Sequence, residues 1–230
     1  MRYLLLIGLI LGSFSLQAQE FEKEMKAIIS KIDTSKAISI SVKVAVYSKK
    51  GGSLIYSMVS TVDHSKGNTI THLGEMEMYQ SEKYEVQVDH EEKRMMVRKK
   101  TVIKEADFSD LNLKELKKLI ASEGDLETKK PKYTLLSSNN GMKTYSITGS
   151  EGIKELQIVL DTKADKIQKI TYEYAENGPN KGQYCVLEYD KFDYTPSFST
   201  SFFDSKNYFS YVNKSYVPAK RLSTYKLIIE

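Results

Sequence analysis

Two periodic patterns of apolar residues follow one another near the start of the sequence. The first has the three- and four-residue spacing of an α-helix that buries one face. It consists of Phe21, Met25, Ile28, Ile29 and Ile32. From Ile38 to Val46 every second residue is apolar, which is the period of a strand with one buried face. The sequence therefore predicts a helix that opens the domain and a β-strand that follows it.

Further short strands are predicted along most of the chain, separated by turns rich in Gly, Asn and Asp. They span residues 53–62, 69–79, 84–88, 95–97, 133–136, 142–148, 156–160, 170–174, 184–189 and 225–229. Parallel strands need long crossovers, and the short hairpin turns leave no room for them. One antiparallel meander is the expected sheet. Residues 195–216 are rich in Phe, Tyr and Ser but have no clean period.

A second helix is predicted at about residues 113–123. Asn112 and Glu115 match a capping box, Leu111 and Leu116 match the hydrophobic staple around it, and Gly124 suits the helix end. Together with the first helix and the strands, this predicts an α+β fold that is mainly β.

Residues 1–18 have the pattern of a secretory signal peptide. Arg2 precedes a short apolar run, and Ala18 is the expected cleavage site. The run is shorter than a membrane-spanning helix requires, and no second candidate span follows. We therefore expect an exported protein with one domain at residues 19–230 that is neither anchored to the membrane nor spans it. The expected location is the periplasm, with secretion as the second choice.

Composition limits the possible partners and the sources of stability. The net charge of +4 over 230 residues is too small to favour a nucleic-acid-binding protein. Cys185 is the one cysteine, so no disulfide can form within the chain. It alternates with apolar residues, which predicts a small buried side chain. Without the 16 Tyr the apolar fraction is below that of typical globular chains, so tyrosine must supply part of the core.

Catalytic and metal-binding patterns are weak. His64, His72 and His90 lie too far apart in sequence for neighbouring metal ligands, and His64 and His90 fall in predicted turns, where solvated side chains are expected. Ser223 and Lys226 match S-x-x-K, but in a predicted strand and without companion motifs. Paired carboxylates for glycoside hydrolysis stay possible, because sequence does not give their spacing. We predict a protein that is not an enzyme, with no catalytic residue, metal or cofactor.

Two segments carry a resemblance to a known family. Residues 80–84, the acidic turn 89–93 and Val97 are similar to a strand, turn and returning strand of the LolA/LolB-like periplasmic lipoprotein carriers. Residues 154–174 are similar to the paired strands near the end of that family's sheet. The resemblance implies a single curved antiparallel sheet or incomplete β-barrel, with the N-terminal and mid-chain helices covering its concave face. It also implies binding of acyl chains or lipoproteins without chemistry.

Two functions follow as hypotheses. The first is a soluble periplasmic carrier for lipids or lipidated proteins, resembling outer-membrane lipoprotein sorting, that acts as a monomer through a cavity in the concave face. The second is an interaction or envelope-sensing module of the same fold, with a filled core and an envelope protein as partner, bound through its surface or through the aromatic segment Phe198 to Tyr216. The predicted cavity lining consists of Val42, Val44, Tyr84, Val86, Met95, Leu156, Ile158, Tyr172 and Tyr174.

Overall fold

The computed structural model describes residues 17–32, 35–100, 131–149, 152–177 and 180–230. One α-helix, α1, covers residues 17–32. The strands are β1 (Ala37–Tyr47), β2 (Leu54–Ser65), β3 (Asn68–Leu73), β4 (Met76–Gln80), β5 (Tyr84–Asp89), β6 (Arg94–Lys99), β7 (Lys132–Asn139), β8 (Met142–Thr148), β9 (Ile153–Asp161), β10 (Lys166–Tyr174), β11 (Tyr184–Asp193), β12 (Phe209–Val212), β13 (Ser215–Pro218) and β14 (Lys226–Ile229). The predicted helix at about 113–123 lies outside the described residues.

Twelve of these strands form one large, open, curved sheet that is not closed into a barrel. Its order is β14-β6-β5-β4-β3-β2-β1-β11-β10-β9-β8-β7, and β12 and β13 form a separate hairpin. Neighbours that follow one another in sequence pair as antiparallel hairpins, and β1 pairs antiparallel with β11 to join the two halves. The expected α+β fold, mainly β with a curved sheet, is confirmed.

Two details of the sheet differ from the expected meander. The strand predicted at residues 69–79 is a hairpin, because Gly74 and Glu75 turn the chain between β3 and β4. Gly74 has φ of +57°, which a glycine adopts without steric cost. The closing strand β14 pairs with β6 in parallel, because residues 100–225 separate the two strands and a hairpin is not required.

The helix α1 covers the half of the sheet formed by β7–β11. Phe21, Met25, Ile28 and Ile32 are buried, as the helical stripe predicted, while Ile29 lies at the edge of the stripe and is half-buried. The Phe21 ring centroid lies 5.2 Å from that of Tyr133 and 5.0 Å from that of Tyr145. We call the sheet face that α1 contacts the covered face, and the opposite one the open face.

The C-terminal residues 198–225, here called the C-terminal arm, pack on the open face of the other half of the sheet. The register shows this, because Ile70 and Tyr79 beneath the arm align through Asp63 with Ser39 of β1, whereas Ile38 and Ile40 lie on the face that α1 contacts. Tyr208, Phe209 and Leu222 of the arm are buried against β3–β6. Tyr208 stacks on Tyr79 of β4, with 4.9 Å between ring centroids. Part of the aromatic segment that the sequence suggested as a partner surface is therefore core, although Tyr211 at the tip of the β12–β13 hairpin is 59% exposed.

Candidate functional site

Strand register arranges apolar side chains in rows across the covered face. Side chains directly opposite one another in neighbouring strands lie on the same face. The first row is Met58, Val44, Leu187, Ile170, Ile158 and Tyr145, and the second is Tyr56, Val46, Cys185, Tyr172, Leu156 and Ile147. The two rows make a continuous apolar surface from β2 to β8.

The nine predicted lining residues form two groups, and the register places these groups on opposite faces of the sheet. The helix-side group holds Val42, Val44, Leu156, Ile158, Tyr172 and Tyr174. The arm-side group holds Tyr84, Val86 and Met95. Within the helix-side group Leu156 pairs directly with Tyr172 across β9 and β10. The two groups are separate clusters because different segments, α1 and the C-terminal arm, cover them.

Burial divides these residues into filled core and accessible surface. Val86, Met95 and Ile158 expose none of their surface, and Leu156 exposes 2%. Val44, Tyr84, Tyr172 and Tyr174 are half-buried. A ligand contacts accessible atoms first, so the half-buried residues are the stronger candidates. Ligand binding by any of the nine stays a prediction.

The accessible helix-side residues lie together toward the strand ends that the β1–β2 turn joins. The Tyr172 and Tyr174 rings are 5.2 Å apart between centroids in an edge-to-face arrangement. Tyr56 lies in the row of Tyr172 and is 50% exposed, and Met58 pairs with Val44. We call Val44, Tyr56, Met58, Tyr172 and Tyr174 the tyrosine patch. Sequence reasoning missed Tyr56 and Met58, which the register of the predicted β1–β2 hairpin identifies.

The tyrosine patch carries no charge at neutral pH. Burial raises the pKa of Tyr172, and its neighbours Cys185 and Tyr174 raise it further. Burial also raises the pKa of the Cys185 thiol, which is buried as the sequence predicted. Burying a neutral hydroxyl or thiol under an apolar chain costs less free energy than burying a charged group. The patch therefore suits an uncharged hydrocarbon.

A polar cluster that the sequence did not reveal fastens the C-terminal arm to β4. Glu77 is buried beneath the arm on the open face, where its carboxylate accepts hydrogen bonds from Arg221 and, at 2.7 Å, from the Tyr208 hydroxyl. His90 Nε2 lies 3.2 Å from Glu77 Oε2, and its Nδ1 lies 2.9 Å from the Tyr225 hydroxyl. The Met residues on either side of Glu77 point to the covered face.

The expectation of solvated turn residues is wrong for His64, and His90 lies in a turn as predicted but is only partly exposed. His90 is half-buried and contacts Glu77 and Tyr225. His64 lies within β2 and is buried, with Nδ1 2.9 Å from Thr69 Oγ1, and burial lowers its pKa. Both side chains serve packing and hydrogen bonding between elements.

Among the described residues, no three His, Cys, Asp or Glu side chains are grouped as a metal site. Ser223 ends a short 3-10 turn and Lys226 begins β14, so the S-x-x-K pair is not at a helix start. The described part of the chain contains no helix with the length and apolar character needed to cross a membrane.

Comparisons with known proteins give structural likenesses and no sequence family. No protein-family model matches the sequence, and no curated protein matches it. An uncharacterized conserved protein from Thermus thermophilus is similar in structure, with 8% identity and a TM-score of 0.46, over 92% of this chain and 99% of the other.

Two other similar structures carry descriptive names. A domain described as a putative outer membrane lipoprotein-sorting protein, from Vibrio parahaemolyticus, has 10% identity and a TM-score of 0.30 over 80% of this chain and 97% of its own. The Mycobacterium tuberculosis lipoprotein LppX has 10% identity and a TM-score of 0.35 over 79% of this chain and 99% of its own. These neighbours are of the kind that the sequence resemblance indicated.

Proposed function

We propose that this protein is a non-catalytic carrier that binds the acyl chain of a lipid or lipidated protein at the covered face. The observation that carries the proposal is the tyrosine patch, an accessible and uncharged apolar surface beside a filled core. Tyr172 and Tyr174 offer ring surface to a hydrocarbon chain while their neighbours in the same rows hold the sheet rigid.

The size of an acyl chain sets the affinity that such a surface must supply. Each methylene removed from water contributes about 0.8 kcal/mol, so burying about ten of them corresponds to a micromolar dissociation constant. A carrier must also release its cargo, and affinity in this range permits exchange. The leader at residues 1–18 and the resemblance of residues 80–97 favour the periplasm as the place of action and lipoproteins as cargo.

Displacement of an apolar fluorescent dye by palmitate tests the proposal. The protein comprising residues 19–230 is titrated with palmitate and, separately, with a synthetic lipopeptide. Saturable displacement in the micromolar range that weakens at least about fivefold in Tyr172→Gln supports the carrier function. Tyr184→Gln is the matched control, because Tyr184 is a half-buried tyrosine in the neighbouring strand β11 on the open face. No displacement, or equal weakening in both variants, contradicts it.

A second candidate is an interaction module whose two apolar clusters are only core. Val86, Met95 and Ile158 are fully buried in such a core. The first half of β2 also has no partner strand on its β3 side among the described residues, and Leu54 and Ile55 there are each more than half exposed. An unpaired apolar strand edge is suited to pairing with an extended segment of an envelope protein. Failure of palmitate to displace the dye favours this function.

A further inference from the structure

A pocket of about 340 Å³ opens on the open face, opposite α1, and its lining includes no residue of the C-terminal arm. Strands β1, β10 and β11 and the turn between β1 and β2 form it. The lining residues are Lys43, Ala45, Tyr47, Gly51, Gly52, Lys169, Tyr184, Val186 and Glu188. Its volume lies in the range of pockets that hold small organic molecules.

Strand register gives the pocket a floor and two different sides. Ala45 pairs with Val186, and these short side chains form the floor, where Ala45 is 7% exposed. Tyr47 pairs with Tyr184 on one side, with 6.4 Å between ring centroids. Two residues along the strands in the other direction, Lys43, Glu188 and Lys169 stand in one row. The aromatic and charged rows flank the apolar floor.

The charged row has an excess of positive charge. Lys169 Nζ donates a hydrogen bond to Glu188 Oε1 at 2.7 Å, and this contact with Lys169 holds the pKa of Glu188 below its ordinary value. Lys43 makes no hydrogen bond or ion pair with any described residue. Lys50 lies nearby, with its Nζ 6.0 Å from the centroid of the Tyr184 ring, but it is paired with Glu155 at 3.9 Å. Glu188 balances Lys169 and Glu155 balances Lys50, which leaves Lys43 as the excess cation.

The β1–β2 turn shapes the rim of the pocket through its glycines. A Cβ on Gly52 would lie 2.5 Å from Ser48 Oγ and 3.0 Å from the backbone nitrogen of Lys49, so this position excludes other residues. The Gly52 N–H donates to the Lys49 carbonyl at 2.8 Å, which closes the turn. Backbone atoms therefore form this part of the rim, and the space over Ala45 stays open.

We propose that this pocket binds a small organic anion that carries a flat ring, of the aromatic carboxylate class. The ring lies over Ala45 and Val186 against Tyr47 and Tyr184, and the carboxylate contacts Lys43 and Lys169. Two residues along a strand span about 6.6 Å, which is a suitable separation between the ring and the carboxylate of such a molecule. The site lies on the opposite face from the proposed acyl-chain site and does not depend on that proposal.

Titration calorimetry with 2-naphthoate tests this assignment, with 2-naphthamide as the uncharged analogue. The variant Ala45→Leu fills the floor without entering the core, because its side chain points to the open face. Lys43→Gln removes the unpaired cation. Lys191→Gln is the matched control, since Lys191 is an exposed lysine of β11 opposite Ser41 and outside the pocket lining. Thermal unfolding of each variant establishes that it is folded.

The expected result is saturable binding of 2-naphthoate that is lost in Ala45→Leu and unchanged in Lys191→Gln. Binding should weaken about threefold to fivefold in Lys43→Gln, as for an exposed ion pair. The amide should bind more weakly than the acid. Absence of saturable binding up to about 10 mM, where the binding free energy is below about 3 kcal/mol, overturns the assignment. If Ala45→Leu and Lys43→Gln both bind 2-naphthoate as tightly as the parent protein does, the assignment is also overturned, since the anion then occupies another site.

Discussion

Arg221 of the C-terminal arm donates two hydrogen bonds, each 3.0 Å long, to the two carboxylate oxygens of Glu77 in β4. The Glu77 side chain is 8% exposed, whereas that of Arg221 is 43% exposed. A buried carboxylate with a bidentate arginine partner is stable only while the arginine stays in place. The Arg221–Glu77 pair therefore attaches the C-terminal arm, whose sequence has no regular apolar period, to the sheet.

Arg221→Met should destabilise the protein by about 2–3 kcal/mol, because it leaves the buried Glu77 carboxylate without its cation. Urea unfolding measures the change. Arg98→Met is the matched control, since Arg98 pairs with Glu230 and both side chains are about half exposed. This substitution should lower the unfolding free energy by less than about 1 kcal/mol. Similar losses in the two variants would show that the Glu77 pair has no special role.

Stability should fall in acid partly through Glu77. Burial alone raises the pKa of this carboxyl, but hydrogen bonds from Arg221 and Tyr208 outweigh it and hold the pKa below its ordinary value of 4.5. A carboxyl with a lowered folded-state pKa contributes stability above the unfolded-state value, and this is lost as pH falls through the folded-state value. Glu77→Gln should therefore be less stable than the parent protein at pH 7, with the difference shrinking below about pH 4. A difference independent of pH between 3 and 7 contradicts this.

The helix α1 should depend on Phe21 for its attachment to the sheet. Phe21 is fully buried between Tyr133 and Tyr145, so Phe21→Ala should cost about 3–5 kcal/mol in unfolding free energy. Lys23→Ala on the exposed side of α1 should stay within about 0.5 kcal/mol of the parent protein. Chemical denaturation of both variants measures this. A small loss for Phe21→Ala would mean that α1 is not part of the cooperative core.

Two turn glycines should respond differently to the same substitution. Gly67 and Gly141 have φ of +75° and +86°, so alanine at either costs about 1 kcal/mol in backbone strain. A Cβ on Gly67 meets nothing within 4 Å, whereas one on Gly141 would lie 2.7 Å from Lys163 Cγ. Gly141→Ala should therefore be the more destabilising in thermal unfolding, and adding Lys163→Ala should reduce the difference. Equal losses with Lys163 present contradict this steric account.

The regular strands were predictable because their burial alternates with period two and their turns contain Gly and Asn. The β7–β8 hairpin with its Asn140–Gly141 turn and the β5–β6 hairpin are examples, and both appear as predicted. The β3–β4 turn was not found, because Gly74 and Glu75 stand next to a Met and Glu alternation that reads as one strand. Local pattern also carries no information on pairing between distant strands such as β14 and β6.

The candidate site was predictable as a face but not as an accessible surface. Alternation assigns Tyr172 and Ile158 to the same face, yet only Tyr172 retains exposed area. That difference depends on what α1 covers, which is a tertiary property. Glu77 was missed for a related reason. Its polar side chain faces inward only because Arg221, 144 positions later in sequence, stands opposite it.

Native mass spectrometry tests the central claim most directly. The protein comprising residues 19–230 is produced in a periplasmic expression host, purified without detergent and sprayed from volatile buffer. The account predicts adducts with the masses of phospholipids or acyl chains that are lost in Tyr172→Asp and retained in Tyr184→Asp, with both variants folded. A clean apo mass for the parent protein, together with no uptake of added palmitate, would contradict acyl-chain binding at the covered face.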